Sequence, residues 1–207
     1  DVGYKNLIQL VTQAHLEGYY YKPRIDLELL GEHHEGLIAL SACIAGEIGR
    51  LILAGKQDKA KVRALEYQEL FGKGNYYLEI QKHQFDKQDE VNREIVRISK
   101  ETGIPLVATN DLHYVEPDDA EAQEVLLCVQ TQKTLLDKNR PLSMIDSPDF
   151  YLRSPQEMEV LFHDYPEALK NTVEIAEKCN LKIRTGKWIL PVFPIPDNQP
   201  SETFLRN

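Results

Sequence analysis

The chain has 207 residues, 42% of them hydrophobic and 28% charged, with a formal net charge of −9. Those proportions suit a globular protein, while the acidic balance argues against a domain that grips nucleic acid unaided, because phosphate contacts need cationic side chains. No apolar run approaches the roughly 18 residues of a membrane helix, and the start, Asp1-Val2-Gly3-Tyr4-Lys5, lacks the basic and apolar regions of a signal peptide.

The three Cys are widely spaced and odd in number, so they make no disulfide framework. A reducing, cytoplasmic setting is the simplest expectation. The missing initiator Met predicts a chain processed or cut from something longer.

Residues 4–17 read as a helix with a stripe of Leu7, Leu10, Val11 and Ala14, stopped at Gly18. Tyr19 to Arg24 form an aromatic and basic connector, either a packed loop or a substrate-facing surface. Asp26 is placed to cap a short helix through Leu30. Leu37 to Ser41 is a small apolar run of the kind found in buried parallel strands. A helix with Ile48, Leu51 and Ile52 on one face follows and ends at Gly55. Residues 57–71 form another.

Tyr76 to Ile80 is a second strand. Asp86 is placed to cap a helix whose stripe is Val91, Ile95 and Ile98, ending near Gly103. Ile104 to Thr109 is a third strand, closed by Asn110-Asp111-Leu112-His113. Pro117, with Asp118 and Asp119, opens a helix carrying Val125, Leu126 and Val129.

Residues 132–150 are irregular. Ser154-Pro155-Gln156-Glu157 is a helix start with cap, first-position Pro and reciprocal Glu. Helices are expected over 155–163 and 166–179. From Leu181 the chain holds four Pro between Pro191 and Pro200 and reads as an extended exit, with Ser201 to Leu205 starting a new helix.

Strands alternating with helices predict an α/β fold with a mostly parallel sheet or barrel, where chemistry collects at the strands' C-terminal ends. Asp111 and His113, two residues apart, share a face if the extended backbone persists. A carboxylate beside an imidazole suits a divalent metal or a proton-transfer pair. Cys43 stands between a strand and a helix, where the helix dipole favours a thiolate that could act as nucleophile or ligand; the plainer alternative is a small buried hydrophobe. Glu79 and His83 lie at and just past the second strand's end.

His15, His33, His34 and His163 read as surface or packing residues, and Cys128 and Cys179 as core or cap residues. There is no phosphate loop, GxSxG or CxxC. Cys43, Asp111 and His113 would make a sensible but incomplete metal site, since catalytic zinc usually has three protein ligands plus water and polynuclear sites need more.

Five stretches carry a resemblance. They are Gly3-Tyr4-Lys5-Asn6-Leu7, Tyr21-Lys22-Pro23-Arg24-Ile25-Asp26, Gly36 to Cys43, Val107 to Tyr114, and Asn171-Thr172-Val173-Glu174-Ile175-Ala176. In order and spacing they resemble the PHP (polymerase and histidinol phosphatase) region of bacterial DNA polymerase III alpha subunits, over nearly the whole chain.

The resemblance implies a distorted seven-stranded (β/α) barrel, here incomplete, with metal ligands at the positions of Cys43, Asp111 and His113. The ion would be zinc, manganese or magnesium. The His-x-His part of that family's site and the catalytic acids of its palm have no counterpart in these residues.

The expectation is a fragment: residues 1–180 the later part of a PHP-type domain, and 181–207 a linker into the palm. The parent would be a replicative, DNA-directed DNA polymerase, a nucleotidyltransferase, with DNA and replicase subunits as partners, no membrane, and 3′–5′ exonuclease chemistry where its metal site is complete. The fragment alone is expected to bind DNA poorly and to be inactive. Two alternatives remain: a stand-alone metal-dependent phosphoesterase of the same superfamily, and a non-catalytic structural module.

Overall fold

The computed structural model describes residues 1–84, 87–183, 185–188, 190, 193–196 and 199–206. Its elements run α1 (Val2–Leu16), α2 (Leu27–Glu32), β1 (Ala39–Leu40), α3 (Glu47–Leu53), α4 (Gln57–Phe71), β2 (Tyr76–Gln81), α5 (Gln88–Thr102) and β3 (Leu106–Thr109). A 3-10 turn (Pro117–Asp119) leads into α6 (Ala120–Thr131), and α7 (Pro155–Leu161), α8 (Pro166–Lys178) and α9 (Ser201–Arg206) follow. The helix expected to begin at Pro117 thus opens with that tighter turn, whose ends are tied by a reciprocal Glu116–Asp119 cap.

The sheet has order β1-β2-β3 and is parallel, with Ala39 opposite Tyr76 and Glu79 opposite Val107. It is open among the described residues, and so agrees with a mixed α/β fold that carries part of a barrel. β2 is central. Tyr76, Leu78 and Ile80 point into the main core with Ile48, Ile52, Ala60, Ala64, Val91, Ile95, Ile98 and Phe162. By the two-residue alternation of a strand, Tyr77, Glu79 and Gln81 face the other way.

β1 is shorter than the expected Leu37–Ser41 strand, and its two residues are only half-buried. It pairs on one side only, so the apolar run is not the fully buried strand that its composition predicts. The opposite edge, β3, is covered: Asn171 on α8 donates its side-chain amide to the Leu106 carbonyl at 2.7 Å.

Local signals explain most helix ends. Gly103 adopts φ +73 at the end of α5, a left-handed conformation that favours glycine. Ser154 and Glu157 cap α7 reciprocally, and Asp26 accepts the Leu29 amide at the start of α2. The expected cap at Asp86 lies outside the described residues, as does Pro191 in the tail.

Gly3 touches the chain at Gly36 so closely that a Cβ would fall 1.9 Å from the Gly36 carbonyl oxygen. Asn6 donates to the neighbouring Glu35 carbonyl, so the first sequence block docks α1 onto the approach to β1.

Two helices bury other faces than their apolar residues suggest. In α1, Leu10 and Ala14 are buried but Leu7 and Val11 are exposed. In α6, Glu124, Leu127 and Cys128 are buried while Val125, Leu126 and Val129 face outward. The reason in α6 is polar: Glu124 accepts from Ser143 Oγ and the Met144 amide and pairs with Arg140 at 2.8 Å. These bonds tie the irregular 133–147 segment onto the helix. Burial alone would push the Glu124 carboxyl up; the Met144 amide, Ser143 and Arg140 outweigh it and hold it below the usual range.

Candidate functional site

β3 ends at Thr109, and the backbone does not stay extended beyond it. Asp111 has φ +53, a left-handed conformation that Asp tolerates better than most residues. The expected reason for a shared face therefore does not hold, yet the turn brings the two groups together by another route. His113 Nδ1 is 2.8 Å from the Asp111 carbonyl oxygen and 3.9 Å from its carboxylate. A carbonyl only accepts, so Nδ1 is the donor there, which leaves Nε2 as the ring nitrogen available to a ligand. That arrangement is common for metal-bound histidines. Both side chains are about one-third exposed, at 32% and 30%.

The turn is held from outside by residues 147–153. The Phe150 carbonyl accepts the His113 amide at 2.9 Å, and the Phe150 amide donates to Tyr114 Oη at 3.3 Å. Tyr114 and Tyr151 form a parallel bridge. Asn110 donates its side-chain amide to the Tyr151 carbonyl and accepts from Arg153 Nη1 at 3.2 Å. Arg153, with its side chain only 6% exposed, also donates to the Lys82 carbonyl and pairs with Asp149 at 3.3 Å. Asp149 in turn accepts from Ser147 Oγ at 2.7 Å.

His83 belongs to this layer. It is buried, its ring stacks on Phe150 with centroids 4.1 Å apart, and Nδ1 lies 3.5 Å from Asp149. Phe150 also meets His113 edge-on at 5.1 Å, so both imidazoles contact one phenyl ring. Burial pushes the His83 pKa down, against the opposing pull of Asp149 and Asp111. A cleft of about 810 Å³ opens beside it, lined among others by Lys82, Asp149, Tyr151 and Arg153.

Glu79 sits on the polar face of β2. Its carboxylate accepts from Thr109 Oγ1 and from Gln81 Nε2, and its backbone amide donates to Ser41 Oγ at 2.8 Å. All three strand ends are thereby tied together, which makes Glu79 a connector between strands. Cys43 is half-buried in the loop ahead of α3, whose first residue is Glu47. It therefore stands outside that helix's first turn, where the dipole acts.

Among the described residues, no three of His, Cys, Asp and Glu gather closely enough to hold a metal ion. Asp111 and His113 are a fitting pair of donors for one divalent ion by chemistry and separation. They fit as part of a site and are too few to complete one. The residues that sequence reasoning missed are Asn110, Asp149, Phe150 and Arg153. The only advance signal for them was Asn110 beside Asp111 in a strand-ending turn.

Two kinds of comparison bear on this arrangement. Residues 1–83, which hold α1 to α4 and β1 and β2 of the parallel α/β unit, match the PHP domain family. Over nearly its whole length the chain is similar to a segment of proteins named DNA polymerase III subunit alpha. It is 44% identical to the DNA polymerase III subunit alpha of Treponema pallidum over 208 residues, covering 100% of this chain. It is 48% identical to that of Borreliella burgdorferi over 95% of the chain, and 40% identical to that of Thermus aquaticus over 99%. The chain spans only 18% of the Treponema protein's length and 17% of each of the other two.

Proposed function

We propose that this chain is the PHP region of a replicative DNA polymerase alpha subunit, and that the whole protein adds deoxynucleotides to a primer. The observation that carries this reading is end-to-end similarity, at 40–48% identity, to three proteins named DNA polymerase III subunit alpha. Residues 1–180 would be PHP-type domain, and 181–207 the passage into the palm. The acidic charge of the chain leaves most DNA contact to other parts of that protein, with other replicase subunits as further partners. Such work belongs in the cytoplasm. Among the described residues, no helix is long and apolar enough to cross a membrane.

Within that protein, Asp111 and His113 would supply a carboxylate and an imidazole, and Cys43 a thiolate, to a metal site completed by residues outside these 207. Zinc, manganese or magnesium bound there would supply Lewis-acid chemistry toward a phosphodiester, suited to 3′–5′ removal of nucleotides. The adjacency of Asp111 and His113, with Nδ1 engaged by the Asp111 carbonyl and Nε2 available, supports the assignment.

The test is an assay of the full-length protein beside the isolated chain on a primed template. Extension by the full-length protein and none by the isolated chain is expected. Extension by the 207 residues alone, or none by the full-length protein, would overturn the reading.

A further inference from the structure

We infer that Arg153 and Asn110 are positioning residues for the Asp111–His113 pair, acting through a layer built by residues 147–153. The inference rests on the reading of that pair as metal donors.

Asp111 holds a left-handed backbone, at φ +53, which Asp tolerates better than most residues but which still costs free energy for a residue with a Cβ and is sustained by its surroundings. The surroundings here are specific. Arg153 is a buried guanidinium that reaches three acceptors in three places: the Lys82 carbonyl just past β2, the Asn110 carboxamide just past β3, and the Asp149 carboxylate on its own segment. Asn110 passes that constraint on, because it precedes Asp111 and also grips the Tyr151 carbonyl. Two residues later, the His113 amide closes onto the Phe150 carbonyl. The strained turn is therefore fastened on both sides of Asp111 by one segment, and Arg153 fastens that segment to two strand ends.

This network is a different thing from general packing. A hydrophobic cover would exclude water without fixing a backbone angle. A planar fork with several donors sets the distance between the ends of β2 and β3, and lysine cannot reproduce it. Groups that orient metal donors in this way typically change affinity by about 10–100-fold when removed.

The experiment uses the full-length protein and Mn²⁺ as the probe. Two quantities are measured: the Mn²⁺ dissociation constant, and hydrogen–deuterium exchange of the peptide spanning residues 110–114. Arg153→Lys is expected to weaken Mn²⁺ binding by about 10–100-fold and to speed exchange in that peptide. Asn110→Ala should do the same, and serves as the test if Arg153→Lys does not fold.

Arg140→Lys is the control. It breaks another buried arginine pair, with Glu124, so it should lower thermal stability without changing Mn²⁺ affinity. Unchanged affinity and exchange in the Arg153 and Asn110 variants would overturn the inference. An equal loss of affinity in Arg140→Lys would overturn it too, by showing a general structural effect. If the unsubstituted protein binds no Mn²⁺, the metal reading of the pair fails, and the exchange rates still decide whether Arg153 and Asn110 hold the turn.

Discussion

Replacing Phe150 by alanine isolates the ring from the backbone that carries it. The ring is 2% exposed, stacks on His83 and meets His113 edge-on. Its carbonyl and amide bonds to His113 and Tyr114 belong to the main chain and survive the substitution. A buried Phe→Ala change costs about 3–5 kcal/mol, the spread reflecting how far the site can relax.

The cleft lined by the neighbouring Pro148, Asp149 and Tyr151 gives these residues room to move and water a route in. The lower end, about 3 kcal/mol, is therefore expected. For a chain of this size that lowers the melting temperature by about 6–12 °C. Thermal unfolding followed by circular dichroism measures it, and the imidazole proton resonances of His83 and His113 should both shift as the ring that both contact is lost. A loss below about 1 kcal/mol, typical of a surface position, with His113 unmoved, would refute the role given to this ring.

Other outcomes follow from the same structure. Ser154→Ala removes the side chain that caps α7 and should cost about 0.5–2 kcal/mol in urea unfolding. Asn171→Ala releases the Leu106 carbonyl at the edge of β3 and should cost about 1 kcal/mol by the same measurement. Glu124 is held below the usual carboxylate range in the folded chain, so its contribution is full above its unfolded value and is lost as pH falls through the folded one. Stability should therefore decline below about pH 5, and Glu124→Gln should flatten that decline in pH-dependent unfolding curves.

The fold was legible where local chemistry sets it. The α5 stripe of Val91, Ile95 and Ile98 is buried as its period predicts, the Ser154–Glu157 cap needed only short-range signals, and the alternation of strands and helices pointed to the parallel sheet. The misreadings have long-range causes. Val125, Leu126 and Val129 look like a core stripe, but α6 turns Glu124 inward because Arg140, Ser143 and Met144 wait for it there.

At the site, Asp111 and His113 could be picked out from a strand-ending Asn-Asp-x-His. What holds them could not. Arg153 meets Asn110 across 43 positions and Lys82 across 71, and no periodicity links residues so far apart. His83, which the sequence places just past the second strand, is a buried ring stacked on Phe150 in the supporting layer.

The most direct measurement is Mn²⁺ titration of the full-length protein, unsubstituted and carrying Asp111→Asn or His113→Gln. If the pair donates to a metal, each substitution weakens binding or removes a bound ion while circular dichroism stays that of the folded protein. Equal stoichiometry and equal affinity in all three proteins would contradict the metal assignment and leave the turn a structural feature of the β3 end.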